Sequence, residues 1–226
     1  MERQSTPTGR SRAISALELL AGSAIVIGHN VFRVVPNEVV ILFVVGWISL
    51  RIRDRGWQSV GLVRPPNWLR IVLIGIGLGI LNQVLSEYAT VPLVQHFMGQ
   101  TPNLEEFKPL IGNLKRALIS LVVVWTFAAF GEEMVYRGYL LRRAADVGKR
   151  SNLAYWLGLT YISLLFGVGH YYQGPAGVID TAMSSVIFGS AYLLCGRNLW
   201  VAILGHGFSN TIAIGLVYFN LVPSLR

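Results

Sequence analysis

The residues best placed to do chemistry fall in three short groups: Glu132-Glu133-x-x-x-Arg137, Phe166-x-x-x-His170 and His206-x-x-x-Asn210. Each lies in or at the edge of an apolar run. A carboxylate beside hydrocarbon costs roughly 2.5 kcal/mol or more on insertion scales, so a chain that carries two has paired them or uses them. If the stretch stays α-helical, Glu133 and Arg137 share a face and can pair. Glu132 then points about 100° away, toward whatever the bundle encloses. His206 and Asn210, also four apart, share a face of their own. A carboxylate beside a histidine can deprotonate water, and a histidine and an asparagine amide can both donate to an oxyanion. One glutamate, two histidines and an asparagine meeting in a wet cavity would form a hydrolytic set.

Taken singly, these residues have plainer readings. A lone intramembrane histidine is most often a hydrogen-bond partner between helices, which is the reading for His29 and an open alternative for His170 and His206. Glu133 and Arg137 alone could be a buried structural ion pair. Asp180 reads as an interfacial or helix-packing contact, Glu18 and Glu87 as structural residues near helix ends, and Phe166 and Tyr136 as packing residues. Three groups in successive helical regions are what favours function.

The elements that must position them are membrane helices. The chain has 226 residues, of which 53% are hydrophobic and 13% charged, against about 25% charged in a soluble domain. Apolar runs of about 13–32, 36–52, 69–94, 114–130, 153–169, 176–195 and 199–221 approach or exceed the ~18 residues that mark a spanning helix. The expected fold is all-α, a polytopic membrane helix bundle of seven to eight spans with the site inside. Residues 1–12, with Arg3, Arg10 and Arg12, form a basic arm expected to be cytoplasmic, without the features of a cleavable signal peptide. Residues 13–226 form one domain. The net charge of +8 lies between the apolar runs and biases to alternate loops, which is the positive-inside pattern and places the N-terminus inside. It does not indicate nucleic acid. Trp57 and Trp68 fit headgroup level. In the third run Gly75 and Gly79 permit close helix approach, and Asn82, Gln83 and Glu87 should face the bundle or the far interface. The single cysteine, Cys195, excludes an intrachain disulfide and a cysteine-based metal cluster.

In these three motifs, and in the turn Gly196-Arg197-Asn198-Leu199-Trp200, the chain resembles the CPBP intramembrane proteases (CAAX proteases and bacteriocin-processing proteins, also called Abi), which include the type II CAAX prenyl endopeptidases. The resemblance covers about residues 114–211. It implies Glu132 as the base that activates water, assisted by His170, with Glu133 and Arg137 ordering the site and His206 and Asn210 stabilising the oxyanion. Tyr136 stands where the family often has phenylalanine. Such enzymes are often described as metalloproteases, and Glu132, His170 and His206 could supply three ligands to a divalent metal such as zinc. There is no His-Glu-x-x-His pair, and the metal-free, glutamate-dependent route is preferred.

The expected protein is therefore an endopeptidase of the bacterial plasma membrane. It would cut a membrane-anchored peptide or lipidated protein, with prenylated CAAX-type substrates among the candidates. Its site would lie toward the cytoplasmic side, Glu132 being placed at the inner end of the fourth span. That placement conflicts with His170 at the outer end of the fifth, unless a hairpin or re-entrant piece intervenes between Arg137 and Leu153. A non-catalytic immunity or secretion partner of the same fold is the first competitor. A proton-linked transporter is the second, weakened by the lack of inverted repeats.

Overall fold

The computed structural model describes residues 7–222 and 225. Arg3 and the first half of the basic arm lie outside the described residues. Seven long helices run through the rest: α1 Gly9–Asn30, α2 Glu38–Arg53, α3 Trp68–Met98, α4 Leu114–Val147, α5 Asn152–Val168, α6 Gly174–Leu194 and α7 Leu199–Tyr218. No strand is present among the described residues. Six of the seven begin where a small polar side chain accepts a hydrogen bond from the first-turn backbone: Thr8, Asn37, Asn67, Asn113, Ser151 and Asn198. The sixth helix in order, α6, starts instead on Gly174-Pro175, a proline in the first turn.

The helices coincide with the seven apolar runs, but the count of spans is smaller than expected. Five helices, α1, α3, α4, α6 and α7, are long and apolar enough to cross a membrane, so seven to eight spans are not confirmed. The remaining two are short: α2 has 16 residues and α5 has 17, lengths of about 24–26 Å against a hydrocarbon core of about 30 Å. Large apolar side chains face outward along the bundle, among them Leu20, Leu73, Ile80, Val122, Leu157 and Leu164, as a lipid-facing surface requires. These features describe an integral membrane protein.

Glycine permits a close contact between two of the helices. A Cβ at Gly75 would lie 2.6 Å from Leu204 Cβ, and one at Gly79 would lie 2.8 Å from both Phe208 Cβ and the Ser209 nitrogen. The expected close approach therefore occurs, between α3 and α7. It is fastened by side chains one turn on: Asn82 donates to Ser209 Oγ at 2.9 Å and Gln83 to the Ser209 carbonyl at 3.1 Å. Asn82 and Gln83 do face the bundle.

One end of the molecule is locked by charge. Arg143 is fully buried and pairs with Glu18 at 2.8 Å, Asp54 at 2.9 Å and Asp146 at 2.9 Å. Arg142 and Arg150 also reach Asp54, Arg53 reaches Glu18, and Arg12 donates to the Val147 carbonyl. The basic segments that charge patterning assigns to solvated loops are thus partly internal. They tie the ends of α1, α2 and α4 together. We refer to this as the arginine-rich end.

The depth of Glu132 is the main departure from expectation. The fourth helix does not stop at Phe130 but continues to Val147. Glu132 therefore stands fifteen residues before the helix end, roughly 20 Å from the arginine-rich end. It is not at the end that the charge rule assigns to the cytoplasm. His170 follows the far end of α5, so the two meet at one depth without the hairpin expected between Arg137 and Leu153. The cavity they share is walled also by Leu104, Glu106 and Phe107 of the α3–α4 connection, at the end opposite the arginines. The continuous helix removes the conflict, and the site is not near the basic end.

Candidate active site

The three motifs are brought together by α4, the α5–α6 junction and α7. In α4 the backbone is wound with i→i+5 turns over Val124–Glu132 and again over Met134–Leu140. Such wide turns recur at functional sites because they re-aim side chains within an otherwise regular helix. Glu133 and Arg137, both completely buried, pair at 2.9 Å. Arg137 also donates to the Ser185 carbonyl at 3.1 Å, and its guanidinium lies 4.8 Å from the centre of the Phe166 ring. Phe166 is therefore more than filler: it packs edge-on against Tyr136 at 4.9 Å and stands 4.8 Å from the His170 ring.

The same Glu133 Oε1 that binds Arg137 lies 2.9 Å from His206 Nδ1. A carboxylate paired with arginine can only accept, so Nδ1 of His206 carries the proton and donates. His206 is further fixed by stacking on Phe188, with ring centres 5.4 Å apart and planes at 12°. Nε2 is left as the nitrogen available to a ligand. His170 is oriented in a similar way, its Nδ1 lying 3.0 Å from the Phe166 carbonyl. A carbonyl accepts only, so the neutral His170 ring keeps a lone pair on Nε2.

Glu132 is held by none of these bonds. Its Oε2 is buried and has no hydrogen-bond partner among the described residues. With His170, His206 and Asn210 it lines a cavity of about 400 Å³. Asn210 is one turn after His206, as the four-residue spacing requires. All six residues singled out from sequence thus gather at one place: four at the cavity wall, and Glu133 and Arg137 directly behind them. A buried carboxylate oxygen with no protein partner, on a residue that shares its cavity with two oriented imidazoles, suits the binding of water.

The metal alternative has its own geometric test. Among the described residues no group of three His, Cys, Asp or Glu side chains is placed to hold a metal ion, and the trio Glu132, His170 and His206 does not form one. The Nδ1 contacts of His206 with Glu133 and of His170 with the Phe166 carbonyl leave both Nε2 atoms open, an arrangement common to histidines that bind water and to those that bind a metal.

Sequence reasoning missed parts of the surroundings. Asp180 accepts from Ser86 at 2.9 Å, a helix-packing contact, yet it also lines the cavity with Glu87 and Glu106. The α1–α2 hairpin supplies His29, Asn30 and Glu38 near Glu132. No spacing signal joins Glu38 to residues almost a hundred positions away.

Fold and site together define a polytopic helical membrane protein built around a buried polar cavity with a carboxylate, two histidines and an amide. Residues 114–212 match the family model described as type II CAAX prenyl endopeptidase Rce1-like, and this match supports membership of the CPBP/CAAX protease family. That family is one of proteases, which supports a peptidase activity for this chain. No curated protein and no solved structure matches the chain.

Proposed function

We propose that the protein is an intramembrane endopeptidase in which Glu132 activates the attacking water. The observation that carries this reading is the unpartnered, buried Glu132 Oε2 beside the oriented His170, within a cavity in a helix bundle. Glu132 takes a proton from water, and His170, which lines the same cavity, assists through its Nε2 lone pair. The water oxygen bonds to the scissile carbonyl carbon, and the carbonyl oxygen becomes the oxyanion. The Asn210 amide and His206, in its doubly protonated form, donate to that oxyanion. The Glu133 carboxylate in contact with Nδ1 is the counter-charge for that form, as a buried aspartate is in hydrolytic triads. Collapse of the intermediate breaks the C–N bond, and the proton held by Glu132 passes to the leaving amine. Every step uses side chains of this chain, and no step passes through a metal.

The substrate follows from the location of the cavity and from the family. A peptide reaching a site inside a bundle of lipid-facing helices is delivered most readily when it is itself anchored in the membrane. The matched family's description, type II CAAX prenyl endopeptidase, points to prenylated CAAX-type peptides, and we place those first among lipidated substrates. A bacterial plasma membrane with the arginine-rich end inside is the orientation that charge distribution favours.

Purified protein in detergent, incubated with a pool of lipidated and unlipidated peptides and read by mass spectrometry, tests the proposal. Wild type should cleave and Glu132→Gln should not, with a loss of about 10²-fold or more. Cleavage should survive exhaustive treatment with a strong chelator. Equal cleavage by both proteins would remove Glu132 as the base. Loss of cleavage with the chelator, restored by zinc, would overturn the metal-free route.

A further inference from the structure

Glu132, His170 and Tyr172 line not one cavity but two. Besides the large cavity, a second of about 240 Å³ lies on the other side of these residues, walled by His29, Asn30, Asn37 and Glu38 of the α1–α2 hairpin. Its geometry follows from helix length. α3 and α4 have 31 and 34 residues, whereas α2 has 16 and begins at Glu38. Val39, in its first turn, packs on α4 immediately before Glu132: a Cβ at Gly131 would lie 3.1 Å from Val39 Cγ1. The hairpin thus stops beside Glu132 and leaves a polar recess.

The recess is organised. Glu38 is buried and both its oxygens are held: Asn30 donates to Oε1 at 3.0 Å, and His29 Nε2 stands 3.0 Å from Oε2. His29 is itself fixed through Nδ1 to the Val35 carbonyl at 2.8 Å. Asn37 accepts from the Val40 N–H and so pins the start of α2. A carboxylate, an imidazole and two amides around a space large enough for several waters make a site that water fills rather than lipid.

We propose that this second cavity is the water side of the catalytic centre, bringing the hydrolytic water to Glu132 and His170 from the face opposite the substrate, with Glu38 as the positioning residue. The inference rests on the hydrolytic reading of the site. Each peptide bond cut consumes one water, whose oxygen ends in the new carboxylate and whose hydrogens end on the new termini. A peptide filling the large cavity would cover that approach to Glu132, so the water must come from elsewhere.

Two measurements on the full chain test this. In vesicles, with Cys195→Ala as background, a small charged thiol reagent should modify Phe127→Cys, which lines the second cavity, about tenfold or more faster than Leu164→Cys, which faces lipid at similar exposure (54% and 61%). Equal rates would overturn the proposal without touching the cleavage reading, because this arm needs no substrate. In the cleavage assay, Glu38→Gln should lower kcat about tenfold with KM changed less than about twofold, and Glu38→Asp should recover part of the loss. A raised KM at unchanged kcat would make the recess a substrate subsite and overturn the water role. Labelling of Phe127→Cys with no cleavage by wild type would overturn the hydrolytic role while leaving a hydrated recess.

Discussion

At the residue scale, Glu133 is the hub of the site, since one carboxylate oxygen serves both Arg137 and His206. Removing one partner of a buried pair leaves an uncompensated charge and typically costs about 3–5 kcal/mol. Arg137→Met should therefore destabilise the protein strongly, seen as a lowered midpoint of thermal unfolding in detergent. Glu133→Gln leaves the buried Arg137 without its counter-charge and should destabilise to a similar extent, and it should also lower kcat by about 10²-fold by releasing His206 and removing its counter-charge. The pairing of Glu133 with Arg137 was legible from the four-residue spacing. The bond from Glu133 to His206 was not: it joins residues 73 apart, and nothing in the chain says which of two adjacent glutamates will turn toward α7. The answer follows from the wide winding of α4, which differs from the regular helix assumed from sequence.

At the element scale, the contact between α3 and α7 rests on what the glycines of α3 permit. Gly75 and Gly79 have no room for a side chain, while Gly77, on the other face, meets open space. Gly79→Leu should push α3 from α7, costing about 1–3 kcal/mol by overpacking, and should reduce activity by moving His206 relative to Glu133. Gly77→Ala should leave activity intact and raise stability by about 0.5–1 kcal/mol through helix propensity. Unfolding midpoints and cleavage rates of the two variants check the contrast. The glycine spacing was readable because close approach demands it. Helix ends were less so: the run after Phe130 is polar enough to look like a loop, yet Arg142 and Arg143 are buried against acids far away in sequence, Asp54 and Glu18. Composition reports where charge is, and not whether a distant acid neutralises it.

At the scale of the whole molecule, the arginine-rich end is held by acids drawn from two helices, α1 and α4, and from the turn after α2. Asp54 meets three arginines, Arg142, Arg143 and Arg150. Burial pushes its carboxyl up, but the hydrogen bond from Arg142 and the charges of Arg142 and Arg143 outweigh this and hold it below the ordinary carboxylate value. A group lowered on folding contributes stability that is fully present above its unfolded value, near 3.9 for aspartate, and is lost as pH falls through the lower folded value. The unfolding midpoint should therefore fall steeply in that acidic window, and Asp54→Asn should lack that part of the profile. Arg143→Ala should lower stability by about 3–5 kcal/mol at neutral pH, because three carboxylates lose their shared partner. With this end fastened and the active-site cavity reaching toward the other, substrate entry is expected through the lipid-facing sides or the α3–α4 connection.

The winding of α4 also makes the helix a counter. An i→i+5 turn holds one residue more than an i→i+4 turn of the same span, so the stretch Val124–Leu140 carries surplus residues that set how Glu132 and Glu133 are dealt between cavity and core. Deleting one residue there either returns the helix to regular winding, which removes the wide turns that aim Glu132 and Glu133 apart, or keeps the winding and rotates every later side chain against the earlier ones by about 100°. Removing Ala129 should thus abolish cleavage, while replacing it, even by the slightly larger serine, should not. The active site depends on the tally of residues along that helix as much as on which residues they are.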